Sequence, residues 1–181
     1  MDIKNERLIL LGKTGSGKTY LERKLVEKGL KPCLKWTTRP KRKFEEQGIT
    51  YNFVNDSEFI QSISEDKFLV YQTFIVTPKD SNPKTWYYGI TNEEFNNSQI
   101  FIMTPFEINQ LTSDDLKKCF VVYLDIDIDI IRKRISKRND NNDSIERRLE
   151  SDKIDFKDFD KYDLKITDPD FDADSIYDLM N

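Results

Sequence analysis

The sequence predicts an α/β fold: a parallel sheet flanked by helices, with a small β-rich lobe. Three observations carry this expectation. "RLILLG" (7–12), "QIFIMT" (99–104) and "CFVVYLDI" (119–126) are continuous apolar runs, the pattern of strands buried on both faces. Segments of helical spacing follow each run, as crossovers between parallel strands require. A glycine-rich turn, "GKTGSGKT" (12–19), joins the first run to the first helical pattern.

Taken in order, Leu21, Leu25 and Val26 mark one face of a first helix, which Gly29 and Pro32 end. "CLKW" (33–36) reads as a short strand, the basic stretch up to Gly48 as a loop, and "ITYNFV" (49–54) as an alternating strand. "NDSEFIQSI" (55–63) has the Asx start and acidic first turn of a helix. "KFLVYQTFIV" (67–76) and "TWYYGI" (85–90) enclose the turn cluster "TPKDSNPK" (77–84), which predicts a hairpin with a long tip. The runs at 99–104 and 119–126 are expected as interior strands, with helices at 106–117, 127–137, 144–153 and 172–180 and a last strand in "YDLKIT" (162–167). "RNDNND" (138–143) reads as a loop. Because the stretch from about 35 to 95 breaks the strand–helix alternation, it is expected as a lobe on one domain spanning 1–181. The core is then 1–34 with 96–181.

Composition narrows the chemistry. A chain of 181 residues with 37% hydrophobic and 12% aromatic content is able to bury one core and is not expected to be disordered. Its net charge of −4 supplies no overall basic field, so neither nucleic acid nor an anionic membrane surface is an expected partner. Basic residues nevertheless gather at Arg39 to Lys43 and at Arg132 to Arg138, as if to hold a small anion. Cys33 and Cys119 have neither metal-ligand spacing nor the density of a disulfide scaffold, and no apolar run reaches the roughly 18 residues of a membrane span. A reduced, cytoplasmic protein is expected, monomeric or weakly dimeric. The sequence contains no histidine, which excludes an imidazole base, Ser-His and Cys-His pairs and His-ligated zinc. Lysine, arginine, tyrosine, threonine, carboxylates and backbone groups remain.

Gly12, Lys13, Thr14, Gly15, Ser16, Gly17, Lys18 and Thr19 satisfy G-x-x-x-x-G-K-[ST] between a strand and a helix, the setting in which that motif forms a phosphate-binding P-loop. Glycines let main-chain N–H groups turn toward phosphate oxygens, and the helix start adds its positive dipole end. ATP is the expected ligand of all eight residues, with Lys18 reaching the β- and γ-phosphates and the Thr19 hydroxyl ligating Mg²⁺. The expected core is therefore a sheet of the P-loop NTPase type.

Residues 37–54, "TTRPKRKFEEQGITYNFV", place Thr37, Thr38, Arg39, Arg42, Glu45, Gly48, Tyr51, Phe53 and Val54 at the spacing T-T-R-x-x-R-x-x-E-x-x-G-x-x-Y-x-F-V. With the P-loop upstream and "YYG" (87–89) downstream, this region closely resembles the monophosphate-binding region of guanylate kinases, and the resemblance runs from about Arg7 to Asp170. Two arginines three apart suit a dianionic phosphate, and tyrosine hydroxyls are able to complete a cage without adding charge. The resemblance implies that Arg39, Arg42, Tyr51 and Tyr88 hold an acceptor phosphate, with Thr38, Glu45, Val70, Gln72 and Gly89 lining the same substrate site. It also implies a helical lid over about 132–152, whose Arg134, Arg138 and Arg148, in "RKRISKRNDNNDSIERRL" (132–149), act with Lys18 and Arg39 on the transferring phosphoryl group. Arg132, Lys133 and Arg147 read as solvent-facing helix charges.

The family's base-reading positions differ here. Lys35 stands in place of a serine, Val70 in place of a glutamate, and Ile90 in place of a serine or threonine, with Gln72, Thr73 and Thr91 as alternative readers. Thr104 and Phe106 replace acidic residues, with Glu107 as a substitute, and Asp168 replaces an asparagine beside the adenine site. "LDIDIDI" (124–130) reads as a polar strand exit and helix start rather than a metal cluster. The expected activity is ATP-dependent phosphorylation of a nucleoside monophosphate, GMP or dGMP by resemblance, with the base open. Two other readings also remain open: a binding module of the same fold without activity, and a kinase for another small acceptor.

Overall fold

In the computed structural model, which describes residues 7–76, 82–137 and 145–179, the run "RLILLG" is a strand buried at every position. The chain divides into two units, Met1–Pro32 with Gln99–Asn181, and Cys33–Ser98. The first unit begins with β1 (Arg7–Gly12) and α1 (Lys18–Glu27). The second holds β2 (Trp36–Thr37), β3 (Asn52–Phe53), α2 (Asp56–Ser64), β4 (Phe68–Val76), β5 (Lys84–Thr91) and α3 (Asn92–Asn97). The first then resumes with β6 (Ile100–Ile102), α4 (Pro105–Ile108), α5 (Ser113–Leu116), β7 (Cys119–Leu124), α6 (Ile128–Ser136), α7 (Ile145–Asp155), β8 (Leu164–Ile166) and α8 (Ala173–Asp178).

The first unit is the expected parallel sheet, in the order β6-β1-β7-β8. Leu8, Leu10, Val122 and Leu124 from the sheet pack with Leu21 and Leu25 of α1, Ile131 and Ile135 of α6, Leu149 of α7, and Ala173 and Ile176 of α8. Each fully buried side chain contributes roughly 1.5–3 kcal/mol. β7 is interior as predicted, but β6 lies at the sheet edge, touched on its far side by a single bridge between Pro32 and Ile100. A proline has no N–H with which to continue a ladder there.

The helix expected over 106–117 forms as α4 and α5, because the segment contains two start signals. Thr104 and Glu107 form a capping box with Pro105 in the first turn, and Thr112 caps again by accepting from Asp115 N–H. The expected strands at 33–36 and 49–54 shrink to two residues each, since Gln47 to Thr50 turn back, with Thr50 N–H bonded to Glu46 O.

The second unit is a four-stranded sheet, β3-β2-β5-β4, in which β4 and β5 form the predicted antiparallel hairpin. The hairpin tip at 77–81 lies outside the described residues. Phe59 of α2 stacks on Phe68 of β4 with ring centroids 4.3 Å apart. Against that pair lies Gly89, where a Cβ would sit 2.6 Å from Phe68 Cδ1 and 3.0 Å from Phe59 Cζ. Phe68 is held by its partner ring and cannot retreat, so Gly89→Ala is expected to cost about 1–3 kcal/mol through overpacking. A fall in the urea midpoint, followed by tryptophan fluorescence, measures this directly, because both tryptophans, Trp36 and Trp86, lie in this unit.

Candidate functional site

The loop after β1 enters α1 through Gly17, the helix N-cap, at φ 114. That left-handed backbone disfavours any side chain, and a Cβ there would also meet the Phe171 ring at 3.3 Å. Lys18 folds back over the loop, donating to Gly12 O at 2.5 Å and Lys13 O at 3.0 Å. Ser16 is fully buried, and its hydroxyl has no hydrogen-bond partner among the described residues. Thr19, in the first turn of α1, is exposed.

Two carboxylates hold the middle of this loop. Lys13 Nζ lies 3.2 Å from Asp125 Oδ1 at the exit of β7, and the same carboxylate accepts from Tyr123 Oη at 3.0 Å and pairs with Lys165 Nζ at 2.7 Å. Burial pushes the Asp125 carboxyl upward, but the bonds from Lys165, Lys13 and Tyr123 outweigh it and hold the group below its usual range. Thr14 N–H donates to Asp152 Oδ2 of α7 at 2.7 Å. Among the aspartates of "LDIDIDI", Asp127 caps α6 by accepting from Asp129 N–H at 2.8 Å, the helix-start role read from the sequence.

Arg134 of α6 differs from the expected arm over a triphosphate. Its Nη1 donates to Ser16 O at 3.1 Å and its Nη2 to Pro169 O at 2.9 Å, so in this conformation the guanidinium braces the loop against the segment after β8. Beside it lies a cavity of about 540 Å³ whose walls include Gly15, Gly17, Tyr20, Arg134, Pro169 and Phe171. Asp168 turns its carboxylate onto Asp170 N–H at 2.9 Å. Arg148 on α7 is half-buried, Arg138 lies outside the described residues, and Arg132 and Lys133 are exposed while Arg147 is half-buried.

The second unit gathers Arg39, Arg42, Glu45, Tyr51 and Tyr88. Arg39 is 4% exposed, and its guanidinium is enclosed by the rings of Tyr51 and Phe53 at 5.4 and 5.9 Å. Nη2 donates to Glu45 Oε1 at 2.7 Å, Nη1 to Glu45 Oε2 at 2.9 Å and to Pro40 O at 2.8 Å, and Nε to Tyr88 Oη at 3.0 Å. Of the five N–H donors of an arginine, four are thus used, and one on Nη2 has no partner among the described residues. Arg39 therefore cannot offer a phosphate the two-pronged fork expected of it, because Glu45 already holds that fork. Arg42 N–H bonds Glu45 Oε2 at 2.8 Å, and its side chain, 38% exposed, reaches further into solvent. Tyr88, whose oxygen accepts from Arg39, keeps its own hydroxyl proton to donate, and burial raises its pKa. Thr38 pairs with Tyr87 through its N–H and hydroxyl, fixing β5 beside the cluster.

Burial opposes ionisation of Glu45, but the bonds from Arg39 and from Arg42 N–H prevail and lower its pKa. A carboxylate with a lowered folded pKa stabilises the fold above its unfolded value, about 4.3, and loses that contribution as pH falls through the lowered value. The urea midpoint read by tryptophan fluorescence is therefore expected to fall below about pH 4, and to fall less steeply in Glu45→Gln.

The expected base readers are placed differently. Val70 and Ile90 are paired across β4 and β5 and wholly buried, so neither presents surface to a ligand in this conformation. Thr91 is taken up in capping α3 through Glu94 N–H, Thr73 is exposed, Lys35 is half-buried, and Gln72 is half-buried opposite Tyr88. Glu107, 1% exposed, accepts from Thr104 N–H, which commits it to the capping box of α4, while Phe106 is exposed. The sequence reading missed the Asp152 and Asp125 contacts with the loop. Asp152 sits three residues after a core leucine, a weak signal, and Asp125 was one of three alternating aspartates with nothing to single it out.

A parallel sheet whose first strand runs through Gly12–Thr19 into a helix is a P-loop nucleotide-binding fold. The guanylate kinase family model matches residues 4–180 of this chain. The chain belongs to the guanylate kinase family, a family of phosphotransferase enzymes. It is 29% identical to a guanylate kinase of Rickettsia felis over 95% of this chain and 91% of that one. It is 30% identical to one of a Nostoc species over 92% and 83%. A solved guanylate kinase from Anaplasma phagocytophilum superposes with a TM-score of 0.69 over 96% of this chain and 83% of that chain, at 18% identity, a likeness of fold. No helix among the described residues is long and apolar enough to cross a membrane.

Proposed function

We propose that this chain transfers the γ-phosphoryl group of ATP to the phosphate of a nucleoside monophosphate, with GMP and dGMP the first acceptors to try. The observation that carries the reading is the Gly12–Thr19 loop opening α1 with Lys18 folded over it, in a chain that also carries the Arg39–Tyr88 cluster. Membership of a phosphotransferase family and the caged guanidinium point the same way.

On the donor side, loop N–H groups and the start of α1 bind the β- and γ-phosphates, the buried Ser16 hydroxyl gains a partner, and Lys18 leaves its carbonyls for a phosphate oxygen. The cavity beside Arg134 takes the adenosine, its ring faces meeting Tyr20 and Phe171. The donor set suits a cation shared between the Thr19 hydroxyl and phosphate oxygens, and Mg²⁺ held there would neutralise developing charge. On the acceptor side, Arg42, the remaining Nη2 hydrogen of Arg39 and the hydroxyls of Tyr51 and Tyr88 hold the phosphate, while Glu45 fixes Arg39, and Thr38 and Gly89 shape the strand behind it. Gln72 is the residue of β4 assigned to the base side, while Val70, wholly buried in this conformation, supplies no hydrogen bond there. Arg138 and Arg148 deliver positive charge to the transferring group, and Arg134 keeps the loop in shape.

No general base is needed, since an acceptor phosphate is ionised at neutral pH. Catalysis is positioning plus charge neutralisation, with an acceptor oxygen brought to roughly 3–3.5 Å from the γ-phosphorus. Work in a reducing cytoplasm on small nucleotides, as a monomer or weak homodimer, completes the reading. The test is an ATP-coupled assay over a panel of ribo- and deoxynucleoside monophosphates beside Lys18→Ala. Lys18-dependent turnover of one or more acceptors is expected. Absence of turnover with every member overturns the reading in favour of a binding module or a kinase for another acceptor.

A further inference from the structure

α7 is anchored to the first unit at two points along one face. Leu149, 8% exposed, belongs to the core cluster, and Phe156, just past the helix, stacks on Tyr123 with ring centroids 5.2 Å apart. Asp152 lies three residues after the one and four before the other, so it shares the inward face. Packing alone favours an apolar side chain at such a position. Instead a half-buried carboxylate stands there and accepts the N–H of Thr14 at 2.7 Å, across 138 positions of sequence. The neighbouring loop residue, Lys13, is held by Asp125 at 3.2 Å, so the two residues before Gly15 are both tied to acids of the same unit.

Drawing a carboxylate away from water is unfavourable unless a donor compensates it, and a main-chain N–H in a phosphate-binding loop is such a donor. We infer that Asp152 is an internal competitor for the nucleotide, its carboxylate occupying an anion position on the loop at Thr14 that ATP must clear in order to bind. The inference rests on the donor-site reading given under Proposed function. One N–H cannot serve a carboxylate and a phosphate oxygen in full, and two anions a few ångströms apart repel. Filling the loop with ATP therefore releases α7 from Thr14, and emptying it restores the contact, which keeps the amide satisfied in the free protein. The apparent affinity for ATP is lowered by the fraction of molecules in which the contact is made. A plain structural staple between α7 and the loop has the opposite consequence, because removing it loosens the site and weakens binding.

The experiment is calorimetric titration of a non-hydrolysable ATP analogue with Mg²⁺ into the full chain, as wild type, Asp152→Ala, Asp152→Asn and Lys18→Ala. It is paired with hydrogen exchange of α7 in the wild type, free and saturated. Asp152→Ala and Asp152→Asn are expected to bind the analogue about tenfold more tightly than wild type, the gain from no longer displacing a charge-assisted hydrogen bond. α7 amides of the wild type are expected to exchange faster when the site is filled. Binding of the analogue by the Asp152 variants where the wild type shows none would support the inference in a stronger form. Lys18-dependent binding by the wild type with equal or weaker binding by both Asp152 variants would overturn it and leave the donor site standing. If neither the wild type nor either Asp152 variant binds, the donor-site reading falls and the inference with it.

Discussion

Lys18→Ala is expected to lower phosphoryl transfer by at least roughly 10²-fold, with the loss in kcat as well as in ATP affinity. The ammonium in the free protein lies on the carbonyls of Gly12 and Lys13, inside the curve of the loop. From there a modest rotation of a four-carbon stem carries it to a phosphate oxygen. A charge that meets the γ-phosphoryl group as negative charge develops there stabilises the transition state more than the ground state, so its removal slows the chemical step. Stability should change little, since two hydrogen bonds to loop carbonyls are worth only about 1 kcal/mol each. Steady-state kinetics beside a thermal melt measures both quantities. An unchanged kcat would show that Lys18 takes no part in transfer.

Arg39→Ala has the largest expected effect on the fold itself. Glu45 is bonded through both oxygens to this guanidinium, and its side chain is only 12% exposed. Removing the arginine leaves a mostly buried carboxylate short of its two charged donors, and such a break costs about 3–5 kcal/mol. The rings of Tyr51 and Phe53 lose the cation they enclose, and Tyr88 loses the donor to its oxygen. Arg39→Lys should recover little, because a point ammonium cannot span both oxygens of Glu45 and also reach Tyr88. The double variant Arg39→Ala/Glu45→Ala is expected to be more stable than the sum of the single losses implies, since the stranded charge is gone. Urea denaturation followed by tryptophan fluorescence supplies all three comparisons, and strictly additive losses would show that the pair is not coupled.

Much of the fold was legible because its signals are strong and local. The runs at 7–12 and 119–126 contain no charge except Arg7 and Asp125 at their ends and became the two central strands, and the G-x-x-x-x-G-K-T spacing fixed the loop between β1 and α1. Short elements were less legible. "ITYNFV" alternates like a strand, but Thr50 N–H bonds Glu46 O, and a turn outcompetes pairing for half of the segment. The helix read over 106–117 contains Thr104 and Thr112 at cap positions, and two caps make two helices. In the acceptor region, the resemblance implied that Arg39, Glu45, Tyr51 and Tyr88 lie near one another, as they do, but not how they would divide the work. Arg39 and Glu45 were both placed in the acceptor region, yet only the fold reveals that Glu45 consumes the arginine's fork. The contact between Asp152 and Thr14 crosses most of the chain, and no local pattern encodes such a pairing.

The most direct measurement is a crystal structure of the protein with a bisubstrate analogue, adenosine joined through a phosphate chain to the nucleoside that the acceptor panel selects. The account expects the donor-side phosphates on the amides of Gly12–Thr19 with Lys18 Nζ in contact, and the acceptor-side phosphate on Arg42, Tyr88 and the free hydrogen of Arg39. An analogue bound elsewhere, or bound at the loop while Arg39 and Arg42 point into solvent with no phosphate near them, would contradict it.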